Sequence, residues 1–240
     1  MTQLFRNLSQ SFYDRFRRHL SRHSESATWG AVLGFLGKSA SDFLYDDEFY
    51  RRTYEKYGPF AQSFVELVNK RFAPSSVVDV GCGRGLYLSR FLQLGKTVRG
   101  YEGSKAAIRQ SLIPTELVHY IDLRVPDHPL DLRFDLCMSI EVAEHLPATA
   151  AEKYVRFLCA HSDTILFTAA PPGQGGTGHV NEQPPEYWQQ LFEQEAFYLC
   201  ADTTAEMKTA MEAFDCDQTE NYVISNFMVF RAESSESEGA

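Results

Sequence analysis

Three carboxylates close or nearly close short apolar runs in this chain: Asp79 in "VVDV", Glu102 in "TVRGYE" and Asp122 in "HYID". Gly81, Gly83 and Gly85 follow the first run as "GCGRG". Glycines at every second position let the backbone turn tightly and approach a ligand closely. A helix opening just after them presents free N–H groups and the positive end of its dipole. A pyrophosphate would use that end with GxGxxG spacing. Here the third glycine comes one residue early, and Asp79 stands where an anion would be repelled. A ligand with an ammonium group suits Asp79 instead. Glu102 can accept both hydrogens of a ribose diol, and Asp122 can accept from an adenine amino group. An ammonium, a ribose and an adenine without a phosphate describe S-adenosylmethionine better than a nicotinamide dinucleotide.

Such a ligand needs elements to hold it. Strands are expected at 76–80, 97–102, 116–121, 134–140, 163–169, 196–201 and 222–231. Helices are expected near 84–94, 104–112, 149–160, 184–194 and 203–213. This alternation implies an α/β fold: a doubly wound, seven-stranded, mostly parallel sheet with helices on both faces. The last strand, "NYVISNFMVFRA", alternates and is expected to run antiparallel. A further helix is expected from Pro59 to Phe72, with Phe60, Phe64, Leu67, Val68 and Phe72 on one face and Pro59 in the first turn.

"VVDVGCGRG" resembles the first motif of class I S-adenosylmethionine-dependent methyltransferases, and "RGYEGS" their second. "FDLCMSIEVAEHLP" and "ILFTAAPPG" resemble their fourth-strand and fifth-strand motifs. The resemblance runs from about residue 60 to residue 231. It implies seven strands with the last antiparallel, and a cofactor across the C-terminal edges of the first four. The cofactor residues it implies are Asp79, Gly81, Cys82, Gly83, Gly85, Glu102, Gly103, Asp122, Leu123 and Glu141. The domain is expected at 59–232, after an N-terminal extension at 1–58 and before an acidic, disordered tail at 233–240.

Methyl transfer is an in-line displacement, so much of its catalysis is positioning. A hydroxyl acceptor also needs a base for its proton. Two histidines stand at strand exits. His145 follows the fourth strand in "EVAEHLP", with Glu141 and Glu144 beside it; Glu144 reads as the start of the next helix. His179 lies in "PPGQGGTGHVNEQPPEYW", a glycine-rich loop of the kind that carries lids and acceptor sites. This loop resembles the H-x-N…P-x-x-[YF]-W segment of a subset of the family with small-molecule or sugar acceptors. His179 is the first candidate for general base and His145 the second; a third reading has neither titrating in the reaction. Asn181 can bind an acceptor hydroxyl or cap a helix. Tyr50 and Tyr54 belong to an aromatic-rich stretch that is either a set of core staples or the lining of a lid over a substrate. Trp188 reads as core. No His, Cys, Asp or Glu cluster has metal-ligand spacing along the sequence, so no metal is expected.

The net charge of −9 argues against a nucleic-acid partner, whose phosphates require clustered Lys and Arg. The five cysteines are scattered without a CxxC pair and read as reduced thiols. No signal peptide or membrane span is apparent, so a cytoplasmic protein is expected. Leu4, Leu8, Phe12, Phe16 and Leu20 make one stripe of a basic helix, which reads as a solvated face, an arm for an acidic surface or a homodimer contact. The lead expectation is O-methylation of a small polar acceptor such as a sugar, glycoconjugate or secondary metabolite. The alternatives are a protein or RNA acceptor, or a cofactor-binding interaction module without turnover.

Overall fold

Val77, Val78 and Val80 begin the sheet as β1 (Ser76–Val80), and all three are fully buried. The computed structural model describes residues 47–126, 132–176, 178–214 and 218–233, with side chains from residue 58 on except those of 218–220. The residues expected to form the basic N-terminal helix and those beyond residue 233 lie outside the described residues, as do the side chains of Tyr50 and Tyr54.

The chain runs through α1 (Asp47–Phe72), β1, α2 (Leu86–Gln93), β2 (Thr97–Glu102), α3 (Lys105–Arg109) and β3 (Val118–Tyr120). It continues through β4 (Leu136–Ser139), α4 (Ala151–His161), β5 (Thr164–Phe167), α5 (Pro185–Gln194) and β6 (Phe197–Leu199). It ends with α6 (Ala201–Met211), α7 (Gln218–Asn226) and β7 (Met228–Ala232). The strands form one seven-stranded sheet in the order β3-β2-β1-β4-β5-β7-β6. β1 pairs parallel with β2 and β4, and β5 parallel with β4. β7 is antiparallel to both β5 and β6, as expected of the last strand.

Side chains alternate across the sheet with a period of two, and this builds two apolar layers. Val78, Val80, Cys137, Ile165, Phe167 and Phe230 pack with Tyr154, Leu158, Trp188 and Phe192 of α4 and α5. Val77, Val98, Leu136, Met138, Leu166 and Val229 face the other way, onto Phe60, Phe64 and Val68 of α1, Leu88 and Phe91 of α2, and Met207 and Met211 of α6. Trp188 is buried, in agreement with the core reading. Gly100 of β2 is set by space: a Cβ there would lie 2.6 Å from Cys82 Sγ and 3.2 Å from Leu88 Cδ1.

Two elements differ from expectation. Pro59 lies inside α1, not in its first turn. Proline has no N–H for the carbonyl four residues back, yet the helix continues on both sides, with Phe60, Phe64 and Val68 packed beneath it. The boundary expected between residues 58 and 59 therefore falls within a helix. The strand expected at 222–231 is helical up to Asn226 and extended only from Met228. Val223, Ile224 and Phe227 are buried in the second layer. A short apolar run satisfies a helix or a strand by pattern alone, and here packing decides. No helix among the described residues is long and apolar enough to cross a membrane.

Candidate active site

The chain leaves β1 toward β2 on one side, and β4 pairs on the other side of β1. This reversal opens a crevice at the C-terminal ends of β1 and β4, where doubly wound sheets bind ligands. Gly81, Gly83 and Gly85 cross that edge with φ of 83°, 55° and 77°. Gly81 also has no room for a side chain, since a Cβ would lie 2.5 Å from Val142 Cγ2. Gly85 is the residue before α2, in the left-handed conformation, and no side chain caps this helix.

Glu102 clasps the loop from the neighbouring strand. Its carboxylate accepts from Gly83 N–H at 2.7 Å and Ser104 N–H at 2.6 Å. Carboxylate oxygens have lone pairs to spare for a further donor. Asp79 is 3% exposed and Glu102 7%. Burial, and then the charge of Glu102, raise the Asp79 carboxyl to about 8. Burial also raises Glu102, against the pull of its N–H donors. Among the described residues no cationic side chain pairs with either. Two adjacent buried carboxyls without a cation suit a ligand that brings its own positive charge. Cys82 and Leu123 are buried, and Gly103 lies close to the Ile121 carbonyl. Asp122 is held by Arg124, with Nε donating at 2.8 Å and Nη2 at 2.6 Å, which keeps its carboxyl below the usual range.

A second group lies past β4. Glu144 sits in a 3-10 turn at Ala143–His145, before the next helix rather than in it. It is fully buried, and neither carboxylate oxygen has a hydrogen-bond partner among the described residues. Burial, then the charge of Glu141, push its carboxyl well up. The glycine-rich loop after β5 docks on this turn: Val180 and Asn181 N–H donate to the Glu144 carbonyl at 2.9 and 3.1 Å. Docking brings His179 against His145, ring centroids 4.9 Å apart and edge-to-face. His179 Nε2 lies 4.0 Å from Glu144 Oε1. Burial, then the neighbouring His179, lower His145 to about 4.

The pair His145 and His179 is thus together, as the sequence placed both on strand exits. Asn181 is buried; its Oδ1 accepts from Gln183 Nε2 at 2.9 Å, and its Nδ2 has no partner among the described residues. Glu141 adopts a positive φ of 53°, uncommon for a residue with a Cβ. Its carboxylate accepts from Gln174 Nε2 at 3.1 Å and Asn226 Nδ2 at 3.3 Å, with Glu144 close by. Three contributors escape the sequence reading. Glu182 accepts from His179 Nδ1 at 2.9 Å and from the N–H groups of Gly173 and Gly175 at 2.8 and 2.7 Å. Asn226 comes from α7, which the sequence pattern reads as strand. Glu144, His145 and His179 form a donor cluster that the spacing along the chain does not reveal. The E-x-x-E-H run at 141–145 was the available signal for the last.

A family profile described as a methyltransferase domain matches residues 50–220. The chain belongs to this methyltransferase family. Its cofactor is S-adenosylmethionine, and the glycine cradle with Asp79 and Glu102 fits that cation. The methyltransferase is 36% identical over 74 residues to a ubiquinone biosynthesis O-methyltransferase of Nitrobacter winogradskyi, a match covering 29% of this chain and 28% of that relative. Its fold is similar to that of magnesium protoporphyrin IX methyltransferase from Synechocystis, solved with bound SAH: TM-score 0.54, 14% identity, 74% of this chain and 84% of that one. It is likewise similar to a sugar N-methyltransferase from Streptoalloteichus, with TM-score 0.53, 15% identity and coverage of 78% and 92%.

Proposed function

We propose that this methyltransferase methylates a hydroxyl of a small polar acceptor, of the class of sugars, glycoconjugates and hydroxylated secondary metabolites. The observation that carries the reading is the orientation of His179. Glu182 accepts from Nδ1, so the proton sits on Nδ1 and the lone pair on Nε2. That lone pair is turned toward Glu144 and His145, past the end of β4. Asp79 would hold the ammonium of S-adenosylmethionine, Glu102 its ribose hydroxyls and Asp122 its adenine. The bound cofactor supplies a methyl group activated on a sulfonium. His179 Nε2 takes the hydroxyl proton as the oxygen accepts the methyl, while His145 packs the ring in place. Asn181 and the aromatic residues Tyr50 and Tyr54 are assigned to the acceptor side. The name of the Nitrobacter relative, an O-methyltransferase, supports oxygen as the methylated atom.

The test is transfer of label from methyl-labelled S-adenosylmethionine to a panel of sugars and phenols, with their amino counterparts alongside. Label in a methyl ether supports the reading. Label confined to amines, to protein or to RNA overturns it.

A further inference from the structure

We infer that Glu144, His145 and His179 form a binding site for one first-row divalent cation. One donor atom from each, two imidazole nitrogens and a carboxylate oxygen, lie within 4.8 Å of one another. Two donors bonded at about 2.1 Å in a tetrahedral site lie about 3.4 Å apart. His179 Nε2 and Glu144 Oε1, at 4.0 Å, need close by only about half an ångström to share an ion.

Two independent features point to an ion rather than to a chance meeting of side chains. The first is Glu144: a fully buried carboxyl beside the Glu141 carboxylate, with neither oxygen in a regular hydrogen bond among the described residues, is costly to ionise unless something cationic completes it. The second is the outer layer. Metal-ligating histidines usually donate their other N–H to a carboxylate or a backbone carbonyl, which fixes the tautomer. His179 Nδ1 pairs with Glu182, and the His145 ring donates to the Gly178 carbonyl.

Two nitrogens and one oxygen select among cations. Mg²⁺ and Ca²⁺ prefer oxygen ligands. Imidazole with a carboxylate suits Mn²⁺, Fe²⁺, Co²⁺ or Zn²⁺, and three protein ligands leave positions open. With an ion bound, His179 Nε2 would serve as a ligand in place of the base role given above, and an acceptor hydroxyl on an open position would be acidified enough to release its proton to solvent. That use rests on the hydroxyl-acceptor reading; the site itself does not.

The experiment is titration of chelator-treated, full-length protein with Co²⁺, Mn²⁺ and Zn²⁺ by calorimetry, and with Co²⁺ by visible absorption. Expected is one equivalent of ion at micromolar affinity or tighter. His179→Ala and Glu144→Gln should each weaken it about 100-fold or more, and Glu182→Gln about 10-fold or more. S-adenosylhomocysteine affinity, measured on the same samples, should stay within about twofold and so reports that each variant is folded. Failure of all three ions to bind, or binding that survives all three substitutions, overturns the cation site. In that case transfer to hydroxyls by chelator-treated protein would still support the function proposed above. Cation binding with label found only on amines would support the site and overturn that function.

Discussion

Asp79→Asn should weaken S-adenosylmethionine binding by about 100-fold at pH 7.5, while affinity for 5′-methylthioadenosine stays within about twofold. The second ligand keeps the adenine and ribose and lacks the chain that carries the ammonium. Breaking a buried charge pair costs about 3–5 kcal/mol, and about 1.4 kcal/mol is tenfold in affinity; part of that cost is already present, because Asp79 must ionise on binding. Its carboxyl is raised to about 8 by burial and by Glu102. Wild-type affinity should therefore climb with pH, approaching about tenfold per unit between pH 5.5 and 7.5, whereas the variant stays flat. Linkage gives a second readout with a definite sign. The folded protein holds the Asp79 proton where the unfolded chain has lost it. Stability from this group is thus present at low pH and is lost as pH rises from the ordinary aspartate range through about 8. Asp79→Asn removes that loss, so the cofactor-free variant should unfold at a higher temperature than wild type at pH 8.5. Equal loss of affinity for both ligands would place the ammonium elsewhere.

The cradle was legible because it is local. A buried strand, glycines at 81, 83 and 85, and a helix directly afterwards lie within one short run, and each residue's part follows from its backbone. Glu102 needed only one more strand. The histidine cluster was harder to read. Glu144 and His179 are far apart in sequence and meet because two N–H groups of the glycine-rich loop find the Glu144 carbonyl. Nothing in residue type announces that contact. Glu144 followed a strand and preceded a helix, so it read as the start of that helix; it lies instead in a separate 3-10 turn, where it is buried. Asn226 was hidden for a related reason. Its segment carries apolar residues that pattern alone could assign to a strand, and the second layer of the core makes it a helix that reaches Glu141.

His179→Ala should cut turnover about 100-fold or more, with S-adenosylhomocysteine affinity changed by no more than about twofold. The two readouts separate because the two groups of residues are separate. The cradle is held by Gly81, Gly83 and Glu102, none of which bonds to the glycine-rich loop among the described contacts. His179 is joined to Glu182 in its own loop and to the turn carrying Glu144. Its loss falls on the acceptor and its proton, whether Nε2 takes the proton or binds a cation that acidifies the hydroxyl. Glu182→Gln sharpens the argument. Glutamine keeps the shape and removes the charge that fixes the His179 tautomer, so Glu182 is a positioning residue. Its substitution should lower turnover by less than His179→Ala, since the ring stays in place but loses the partner that fixes its orientation. Turnover of His179→Ala equal to wild type would remove the loop from the chemistry and leave methyl transfer to positioning by the cradle alone.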